Sequence, residues 1–380
     1  MSEFDRDLPF VEEDDDIVVV KHLTKHFPIK TDLFGKVLVS VKAVNDISFK
    51  IKKGTTLGVV GESGCGKTTM GRTMLRLYDI TSGEVIYRGL SLDKLSTSQL
   101  RSLLPADEEY KQYKSADREK LLEILEKTGI DIAKISKSAL TKLRPDIQII
   151  FQDPYSSLSP RMTIGEIIGE AVREHNIVPK SEYKNYILKI MKECGLQPHY
   201  FDRYPHEFSG GQRQRICIAR ALALNPKIVV CDEPVSALDV SIQAQIINLL
   251  KDLQEQHGLT YIFISHDLSV VEHISTEVAV MYLGHMMEKA PQKALFGEPL
   301  HPYTKALLSA VPVPDPDVKM NRIILEGDIP SPANPPAGCK FHTRCSECME
   351  KCKTEEPKLI EYEPEHFVAC HLYGAPKSAE

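Results

Sequence analysis

The sequence lacks the features that mark several large classes of protein. Its longest apolar runs, at Ile17–Val20, Ile228–Cys231 and Tyr261–Ile264, are short, whereas a membrane-spanning helix needs about 18 apolar residues. It also lacks an excess of positive charge, because 47 lysines and arginines are set against 53 aspartates and glutamates. This balance argues against a chain built to neutralise nucleic-acid phosphates, so we expect no nucleic-acid partner.

The first residues carry no charged-then-apolar leader, so we expect the chain to remain in the cytosol. With 42% hydrophobic and 26% charged residues, the composition is that of a soluble globular protein and excludes a fibrous or disordered one. A length of 380 residues allows about two domains, or one large α/β domain with attachments.

Cysteine is sparse along most of the chain and concentrated near its end. Four cysteines are scattered, at Cys65, Cys194, Cys217 and Cys231, and five crowd the C-terminal segment, at Cys339, Cys345, Cys348, Cys352 and Cys370. In a reducing cytosol such clustering favours metal ligation over disulfides. We therefore predict a main domain followed by a small cysteine-bearing tail.

Strand-like and helix-like segments alternate along most of the chain, which predicts an α/β fold with a mostly parallel sheet. The predicted strands are Ile17–Val20, Val41–Ile51, Leu57–Val60, Ile147–Phe151, Ile228–Cys231 and Tyr261–Ile264. The predicted helices are Thr68–Leu77, Thr163–Glu174, Lys184–Cys194, Gly211–Ala223, Ser241–Glu255 and Leu268–Ile274. We expect a disordered acidic lead over 1–15, a main domain over 16–312 and a tail over 313–380, with a proline-rich linker at Val311–Asp317.

A charged insertion at about residues 96–143 interrupts this alternation. The spacing of Leu121, Leu122 and Leu125 predicts one exposed amphipathic helix there. We interpret the insertion as a surface decoration without chemistry of its own.

A glycine-rich loop lies between a predicted buried strand and a predicted helix. It consists of Gly61, Glu62, Ser63, Gly64, Cys65, Gly66, Lys67, Thr68 and Thr69, and it fits the pattern of a phosphate-binding loop. The glycines let backbone N–H groups converge on phosphate oxygens, and the helix N-terminus adds a positive partial charge. We expect Lys67 to reach the β- and γ-phosphates of a nucleoside triphosphate and the Thr68 hydroxyl to bind Mg²⁺.

The apolar strand at Ile228–Cys231 ends in two carboxylates, Asp232 and Glu233. Asp232 suits the oxygen shell of Mg²⁺, and Glu233 would then polarise the water that attacks the γ-phosphate. Taken alone, such a strand end is more often only a polar exit from the sheet. The glycine-rich loop favours the catalytic interpretation.

A second anion site is predicted at Ser209-Gly210-Gly211-Gln212, which opens a helix far along the chain from the glycine-rich loop. A capping hydroxyl and free N–H groups at a helix start bind anions. Two such sites in one chain are explained if Ser209 and Gly211 close over a nucleotide held by the Lys67 of a second chain.

Together these motifs resemble those of the ATP-binding cassette (ABC) family, from about residue 17 to 375. The glycine-rich loop is similar to the family's Walker A loop, and three further motifs follow in the family's order: the signature motif at Ser209–Gln212, the Walker B strand at Ile228–Asp232 and the D-loop at Ser236–Asp239. The resemblance implies an Mg²⁺-dependent ATPase. It also implies a RecA-like parallel-sheet core, an antiparallel β subdomain and a helical subdomain at about 155–225.

The resemblance implies roles for three more residues. Gln152 resembles the glutamine of the Q-loop, which links the nucleotide to the membrane subunit, and the resemblance implies that it binds Mg²⁺ and takes part in catalysis. His266 resembles the switch histidine, which implies that it contacts the γ-phosphate and is catalytic. Phe27 resembles the aromatic residue that stacks on adenine, although Phe34 lies in the same irregular segment. Singly, each residue would be read as structural; their joint order supports the functional roles.

Further segments resemble the peptide and nickel importer family, and within it the second ATPase subunit of oligopeptide and dipeptide importers. They are Gln152–Thr163, Arg203–Phe208, His301–Thr304 and Pro335–Cys339. The resemblance implies a heterodimer with another ATPase subunit, two integral membrane permease subunits and, indirectly, an extracellular peptide-binding protein. It places the chain peripherally at the cytoplasmic face of the cell membrane. Import of nickel or another small solute, and a soluble ABC ATPase outside transport, stay open as alternatives.

The same resemblance implies a [4Fe–4S] cluster in the tail, bound by Cys339, Cys345, Cys352 and Cys370. The spacing alone matches neither the tight pairs of common zinc sites nor the usual ferredoxin run. Cys345 with Cys348 is a competing zinc pair, and four thiolates suit Zn²⁺ as well as a cluster. A metal-free structural tail is the third alternative, and Cys348 departs from the family pattern.

Overall fold

The computed structural model of the chain describes residues 8–32, 37–105, 107–311 and 322–374. Its strands are β1 (Asp16–Thr31), β2 (Val37–Lys52), β3 (Thr56–Val60), β4 (Ser82–Tyr87), β5 (Ile130–Asp131), β6 (Ile147–Ile150), β7 (Ile228–Asp232), β8 (Thr260–Ile264), β9 (Glu277–Tyr282), β10 (His285–Pro291), β11 (Ile360–Glu363) and β12 (His366–Val368). Its helices are α1 (Lys67–Met74), α2 (Thr97–Leu103), α3 (Glu108–Lys111), α4 (Arg118–Thr128), α5 (Lys137–Leu143), α6 (Ile164–Glu174), α7 (Tyr183–Glu193), α8 (Gly210–Leu222), α9 (Val240–His257), α10 (Leu268–Ile274), α11 (Gln292–Gly297), α12 (Pro302–Ser309) and α13 (Glu350–Thr354). The predicted α/β class is confirmed.

The contacts within the chain divide it into two units. The first unit comprises residues 1–51, 56–86 and 265–380, so far as they are described, and the second comprises 52–55 and 87–264. The glycine-rich loop and the cysteines of the tail belong to the first unit. The carboxylates that end β7 and the helix α8 belong to the second.

In the first unit, five strands lie side by side in the order β11-β12-β10-β9-β3. Strands β3 and β9 are parallel, with Leu57 opposite Glu277, while β9, β10, β12 and β11 pair antiparallel. Every residue of β3 is buried, as expected for a strand covered on both faces. A separate group of strands in the same unit has the order β2-β1-β4.

The described part of the tail, residues 322–374, adds β11 and β12 to the sheet of the first unit. The predicted linker at Val311–Asp317 lies outside the described residues from residue 312 onward. By its contacts the tail therefore belongs with the glycine-rich loop rather than forming a separate unit.

In the second unit, β8, β7 and β6 form a parallel sheet in that order. The apolar runs of β7 and β8 are buried along their whole length, which is typical of parallel strands covered by helices on both sides. Helices α6, α7 and α8 occupy the range 155–225 that the family resemblance assigns to a helical subdomain.

The insertion at 96–143 differs from its prediction, because it contains α2, α3, α4 and α5 instead of one helix. Three of these helices begin at a side chain that accepts a backbone N–H, namely Ser96, Asp117 and Ser136. Such caps stabilise helix starts by about 1 kcal/mol each. The predicted amphipathic face does exist in α4, where Leu121 and Leu125 are buried.

The acidic lead also differs from its prediction where the structure describes it. Lys21 Nζ lies 2.6 Å from a carboxylate oxygen of Glu12, and Lys50 Nζ lies 2.5 Å from one of Glu13. These ion pairs hold residues 12 and 13 against β1 and β2, so the acidic side chains have partners in the folded unit. Residues 1–7 of the predicted lead lie outside the described residues.

Candidate functional site

The glycine-rich loop connects β3 to α1, and its shape depends on glycine. Gly61, Gly64 and Gly66 have φ angles of +148°, +78° and +108°, which side chains disfavour. A Cβ atom at Gly61 would lie 2.2 Å from the carbonyl oxygen of Met281, and one at Gly66 would lie 2.0 Å from that of Ala43. The loop is therefore pressed against neighbouring backbone, which leaves no room for a side chain at these two positions.

Lys67 begins α1 and is 5% exposed. Its Nζ donates to the carbonyl oxygens of Gly61 at 2.7 Å and Glu62 at 3.1 Å. The cation is thus held inside the loop by carbonyl oxygens of the loop itself. Thr68 and Thr69 follow in the first turn of the helix and are half-buried. The loop therefore presents a lysine and two hydroxyls at a helix N-terminus, the groups that phosphate and Mg²⁺ require.

Phe27, the predicted adenine-stacking residue, lies half-buried in β1. Its ring meets that of Tyr78 edge-on with 5.4 Å between centroids, and Lys25 Nζ lies 4.7 Å from the ring centre. The aromatic side chain is held by these neighbours and is still partly open to solvent. The competing candidate, Phe34, lies outside the described residues.

His266, the predicted switch histidine, is exposed in the segment between β8 and α10. The N–H of the preceding Ser265 donates to the carbonyl oxygen of Val59 at 3.1 Å. Because Val59 lies in β3 just before the glycine-rich loop, this bond places the histidine segment beside the loop within the first unit.

In the second unit, the structure brings Gln152 and Glu233 together. Gln152 Nε2 donates to Glu233 Oε2 at 2.8 Å, because β6 and β7 run parallel and end at the same edge of the sheet. Asp232, the last residue of β7, is fully buried. Glu233 has a φ of +47°, a left-handed conformation that costs a non-glycine residue about 1–2 kcal/mol. Such strain is typical of functional positions.

Ser209 caps α8 in a reciprocal arrangement with Gln212. The Ser209 hydroxyl accepts the Gln212 N–H at 3.4 Å, and the Gln212 side chain accepts the Ser209 N–H at 3.1 Å. Ser209 is exposed, and a Cβ atom at Gly211 would lie 2.5 Å from the side chain of Ile242. The predicted second anion site is therefore an exposed, capped N-terminus of a 13-residue helix.

Two residues that the sequence did not single out as site residues contact the glycine-rich loop. Tyr303 Oη accepts the backbone N–H of Glu62 at 2.9 Å, and Arg344 donates to both carboxylate oxygens of Glu62, at 2.7 and 3.0 Å. Tyr303 lies in a segment noted for its family resemblance, but no local pattern points to the loop. Arg344 lies 282 residues from Glu62 in sequence, a separation that no spacing rule connects.

The tail thiols lie near one another. Burial, together with smaller contributions from the neighbouring thiols of Cys352, Cys370 and Cys345, raises the pKa of Cys339 to about 12. Burial likewise raises the pKa of Cys345 to about 11, with contributions from Cys370, Cys348 and Cys352. The backbone N–H of Cys339 donates to the carbonyl oxygen of Cys352 at 2.8 Å. The four predicted ligands thus converge in the first unit.

This convergence is not a compact metal-ion site. Within residues 8–32, 37–105, 107–311 and 322–374, no group of three or more His, Cys, Asp or Glu side chains is arranged to hold a metal ion. The prediction of a metal in the tail is therefore not supported by a coordination shell in the described residues.

In the same described ranges, no helix is both long and apolar enough to cross a bilayer.

Comparison with known proteins assigns the chain to a family. Residues 44–236 match the family described as ABC transporter, and residues 287–352 match the oligopeptide/dipeptide transporter, C-terminal region. The chain is 49% identical over 360 residues to the oligopeptide transport ATP-binding protein AppF of Bacillus subtilis, covering 94% of this chain and 98% of that protein. It is 47% identical over 359 residues to the oligopeptide transport ATP-binding protein OppF of Haemophilus influenzae, covering 93% and 96%.

A solved structure shares the fold of the ABC part. It is a dimeric ATP-binding cassette in a post-hydrolysis state with bound ADP and phosphate, 25% identical, with a TM-score of 0.55 over 72% of this chain and 98% of that one. The chain therefore belongs to the ABC transporter ATP-binding family, and within it to the group that carries the oligopeptide/dipeptide transporter C-terminal region.

Proposed function

We propose that this chain is the ATP-hydrolysing subunit that energises import of oligopeptides or dipeptides by an ABC transporter. One observation carries the proposal: the chain combines an ABC domain with the C-terminal region of oligopeptide/dipeptide transporters, and it aligns with nearly the whole length of relatives named as oligopeptide transport ATP-binding proteins. The chain pairs with a second ATPase subunit on two permease subunits at the cytoplasmic face of the membrane, and an extracellular protein delivers the peptide.

Uptake measurements test the substrate class. In cells that depend on this chain, its deletion should abolish uptake of a labelled oligopeptide and leave Ni²⁺ uptake unchanged, and the reverse result would favour a nickel importer. Purification of the tagged chain from detergent-solubilised membranes should recover a second ATPase and two permease subunits. If the tagged chain is recovered without any permease subunit, under conditions in which other transporters of the same membranes stay assembled, the soluble ATPase is favoured.

The glycine-rich loop is proposed to bind the phosphates of ATP through its backbone N–H groups, Lys67 and Thr68, with Phe27 stacking on adenine. The buried carboxylate of Asp232, the hydroxyl of Thr68 and the amide oxygen of Gln152 are oxygen donors of the kind Mg²⁺ takes. Magnesium, when bound, would neutralise charge on the β- and γ-phosphates. To reach a phosphate, Lys67 exchanges its bonds to the carbonyl oxygens of Gly61 and Glu62 for bonds to phosphate oxygens.

Glu233 is proposed to accept a hydrogen bond from the attacking water and to orient it toward the γ-phosphate, with His266 contacting that phosphate. The bond from Gln152 supports this role, because the amide holds the Glu233 carboxylate in a fixed orientation at the end of β7. Glu233→Gln should keep ATP binding and lower turnover by about 10²–10⁴-fold, the usual worth of such a group. Lys67→Ala should weaken binding itself, and Glu298→Gln, at an exposed position, is the matched control.

Turnover is proposed to need the second ATPase subunit. Ser209, Gly211 and Gln212 form an exposed helix N-terminus, and such an end binds anions, here the nucleotide held by the partner subunit. The isolated chain should therefore hydrolyse ATP weakly and in proportion to the square of its concentration. Fast hydrolysis whose specific rate is independent of concentration would contradict this proposal.

For the tail we propose a [4Fe–4S] cluster bound by Cys339, Cys345, Cys352 and Cys370, with Zn²⁺ as the alternative. Four thiolates suit a cluster as well as Zn²⁺, and among the described residues no group of three or more His, Cys, Asp or Glu side chains is arranged to hold a metal ion. This part of the proposal rests on the family resemblance and on the mutual proximity of the four thiols.

Anaerobic purification tests the tail. Brown protein with about four irons per chain, retained in Cys348→Ser and lost in Cys345→Ser, is the expected result. Cys348 is the matched control, because its Sγ donates to the carbonyl oxygen of Met349 and it lies outside the proposed ligand set. Colourless protein with one zinc that depends on Cys348 would contradict both the metal and the ligands.

A further inference from the structure

Glu62, the second residue of the glycine-rich loop, is held at both its backbone and its side chain. The backbone N–H donates to Tyr303 Oη at 2.9 Å. The two carboxylate oxygens accept from Nη1 and Nη2 of Arg344 at 2.7 and 3.0 Å. This bidentate pairing matches the planar geometry of guanidinium to that of carboxylate, which makes it both strong and directional.

The pair is largely withdrawn from solvent. The side chain of Arg344 is 7% exposed and that of Glu62 is 21% exposed. The hydrogen bond to Glu62 raises the pKa of Arg344, so the arginine stays charged. Because screening by water is limited, the interaction is worth more than a surface salt bridge, and removing one partner leaves a charge that is costly to bury.

Aromatic rings fix the two groups that hold Glu62. The ring of Tyr303 lies 4.8 Å from that of Tyr282 and 5.2 Å from that of Phe341, measured between centroids, and all three rings are buried. Arg344 Nη1 also donates to Tyr282 Oη at 3.4 Å. Neither Tyr303 nor Arg344 can swing away without disturbing this packed cluster.

The start of α12 explains why Tyr303 points at the loop. The ring nitrogen Nδ1 of His301 accepts the Tyr303 N–H at 3.0 Å and so caps the helix, and Pro302 occupies its first position, as is common at helix starts. The His301 N–H in turn donates to the buried carboxylate of Glu288 at 2.9 Å. The position of the Tyr303 hydroxyl therefore follows from local geometry.

The contacts of Tyr303 and Arg344 hold the same part of the glycine-rich loop to which Lys67 is hydrogen-bonded. Lys67 Nζ binds the carbonyl oxygens of Gly61 and Glu62, and the peptide group between those two residues is the one whose N–H Tyr303 holds. The Gly61 carbonyl that Lys67 must release thus belongs to a peptide group that Tyr303 anchors independently of Lys67. The loop can keep its shape while the lysine moves to a phosphate.

We propose that Arg344 and Tyr303 form a clamp on Glu62 that keeps the glycine-rich loop in the shape that binds ATP, and that both are positioning residues for nucleotide affinity. The inference rests on the proposed function, in which this loop binds ATP. Without the clamp, ordering of the loop must be supplied by the nucleotide, and that cost appears as weaker binding. Once ATP is bound the chemistry is unchanged, so KM should rise while kcat is kept.

A set of charge variants tests the clamp in the full-length chain, with affinity measured by titration of a fluorescent ATP analogue. Arg344→Gln should weaken binding by at least about tenfold, because the Glu62 carboxylate loses its partner. The double variant Arg344→Gln/Glu62→Gln should recover part of that loss, since no charge is left unpaired. Arg322→Gln is the matched control, because this tail arginine is exposed and donates to the Ala310 carbonyl at 3.4 Å; its affinity should equal the wild type.

Turnover of the assembled transporter supplies the second readout. For Arg344→Gln, kcat at saturating ATP should stay within about twofold of wild type while KM rises with the dissociation constant. If Arg344→Gln is thermally destabilised yet binds the analogue as tightly as wild type, the arginine is only a structural staple and the clamp is refuted. An equal loss in the single and double variants also refutes it.

Tyr303→Phe keeps the inference testable if Arg344→Gln fails to fold. The substitution keeps the buried ring and removes only the hydroxyl that accepts the Glu62 N–H, so we expect a roughly threefold to tenfold weaker affinity from the loss of one hydrogen bond. Unchanged affinity would overturn the clamp. Failure of the proposed function looks different: wild type would not bind the analogue, or Lys67→Ala would bind it normally.

Discussion

Alanine substitutions at two glycines of the glycine-rich loop distinguish the cost of steric overlap from the cost of backbone strain. Gly64 and Gly66 both have left-handed φ angles, +78° and +108°. A Cβ atom at Gly64 would meet no heavy atom of the described residues within 4 Å, whereas one at Gly66 would lie 2.0 Å from the Ala43 carbonyl oxygen. Replacing each by alanine therefore imposes similar strain on the backbone but very different overlap.

The magnitudes follow from these two terms. Left-handed backbone costs an alanine about 1–2 kcal/mol, and that is the whole expected cost at Gly64. At Gly66 the obstacle is backbone, so no side-chain rotation relieves it and about 1 Å must open between the loop and β2. Overpacking of this kind adds about 1–3 kcal/mol, which gives Gly66→Ala about 3 kcal/mol or more.

Thermal unfolding without nucleotide is the assay. Because each kcal/mol shifts the Tm of a unit of this size by about 2–4 °C, Gly64→Ala should lower the Tm by about 2–8 °C and Gly66→Ala by about 6–12 °C or more. Added ATP and Mg²⁺ should then raise the Tm of wild type and leave that of Gly66→Ala unchanged, because the displaced loop no longer fits the phosphates. Two variants that unfold within 2 °C of each other would show that the contact with Ala43 does not constrain the loop.

Two further predictions concern the first unit. Glu288 is fully buried, and its carboxylate accepts hydrogen bonds from two backbone N–H groups and one imidazole, at 2.7 to 2.9 Å. Glu288→Ala leaves these three donors without an acceptor and should destabilise the unit by about 3 kcal/mol or more. The control Glu298→Ala, at an exposed position, should change the Tm by less than about 2 °C, and equal effects of the two substitutions would contradict the reasoning. Hydrogen bonds from His285 and then Lys340 lower the pKa of Glu356 from 4.5 to about 2. Because this carboxyl titrates lower in the folded chain, its contribution to stability is complete above about pH 4.5 and is lost as the pH falls toward 2. The Tm difference between wild type and Glu356→Gln should shrink across that range, and a constant difference would refute the assignment.

Local sequence signals were sufficient for the loop and the strands beside it. A buried apolar strand, a glycine-rich turn and a lysine specify β3, the loop and α1, and the strand boundary is within one residue of the prediction. The predicted helix continued to Leu77, whereas α1 ends at Met74. The reason is a left-handed residue, Arg76 with φ +50°. Its own N–H donates to the carbonyl oxygen of Thr73, and the N–H of Leu77 donates to that of Arg72, so the helix closes there.

Contacts between distant segments could not be predicted in this way. The meeting of Gln152 with Glu233 follows from parallel pairing of β6 and β7, which a strand pattern alone does not fix. The clamp of Arg344 on Glu62 joins parts of the chain with no shared periodicity. The insertion differs from its prediction for another reason: leucine spacing indicates one amphipathic helix, whereas the starts of three helices are marked by the capping side chains of Ser96, Asp117 and Ser136.

The strand order of the first unit has a consequence for shortened versions of the chain. Strand β10 has β9 on one side and β12 on the other, with Glu288 opposite Val368 and Lys289 opposite Phe367. A chain that stopped after α12 would uncover a row of backbone donors and acceptors along β10, the kind of open edge on which a second molecule can build. Such a fragment should self-associate, and expression of the ABC part without its last strands should give aggregates where the full chain stays dispersed.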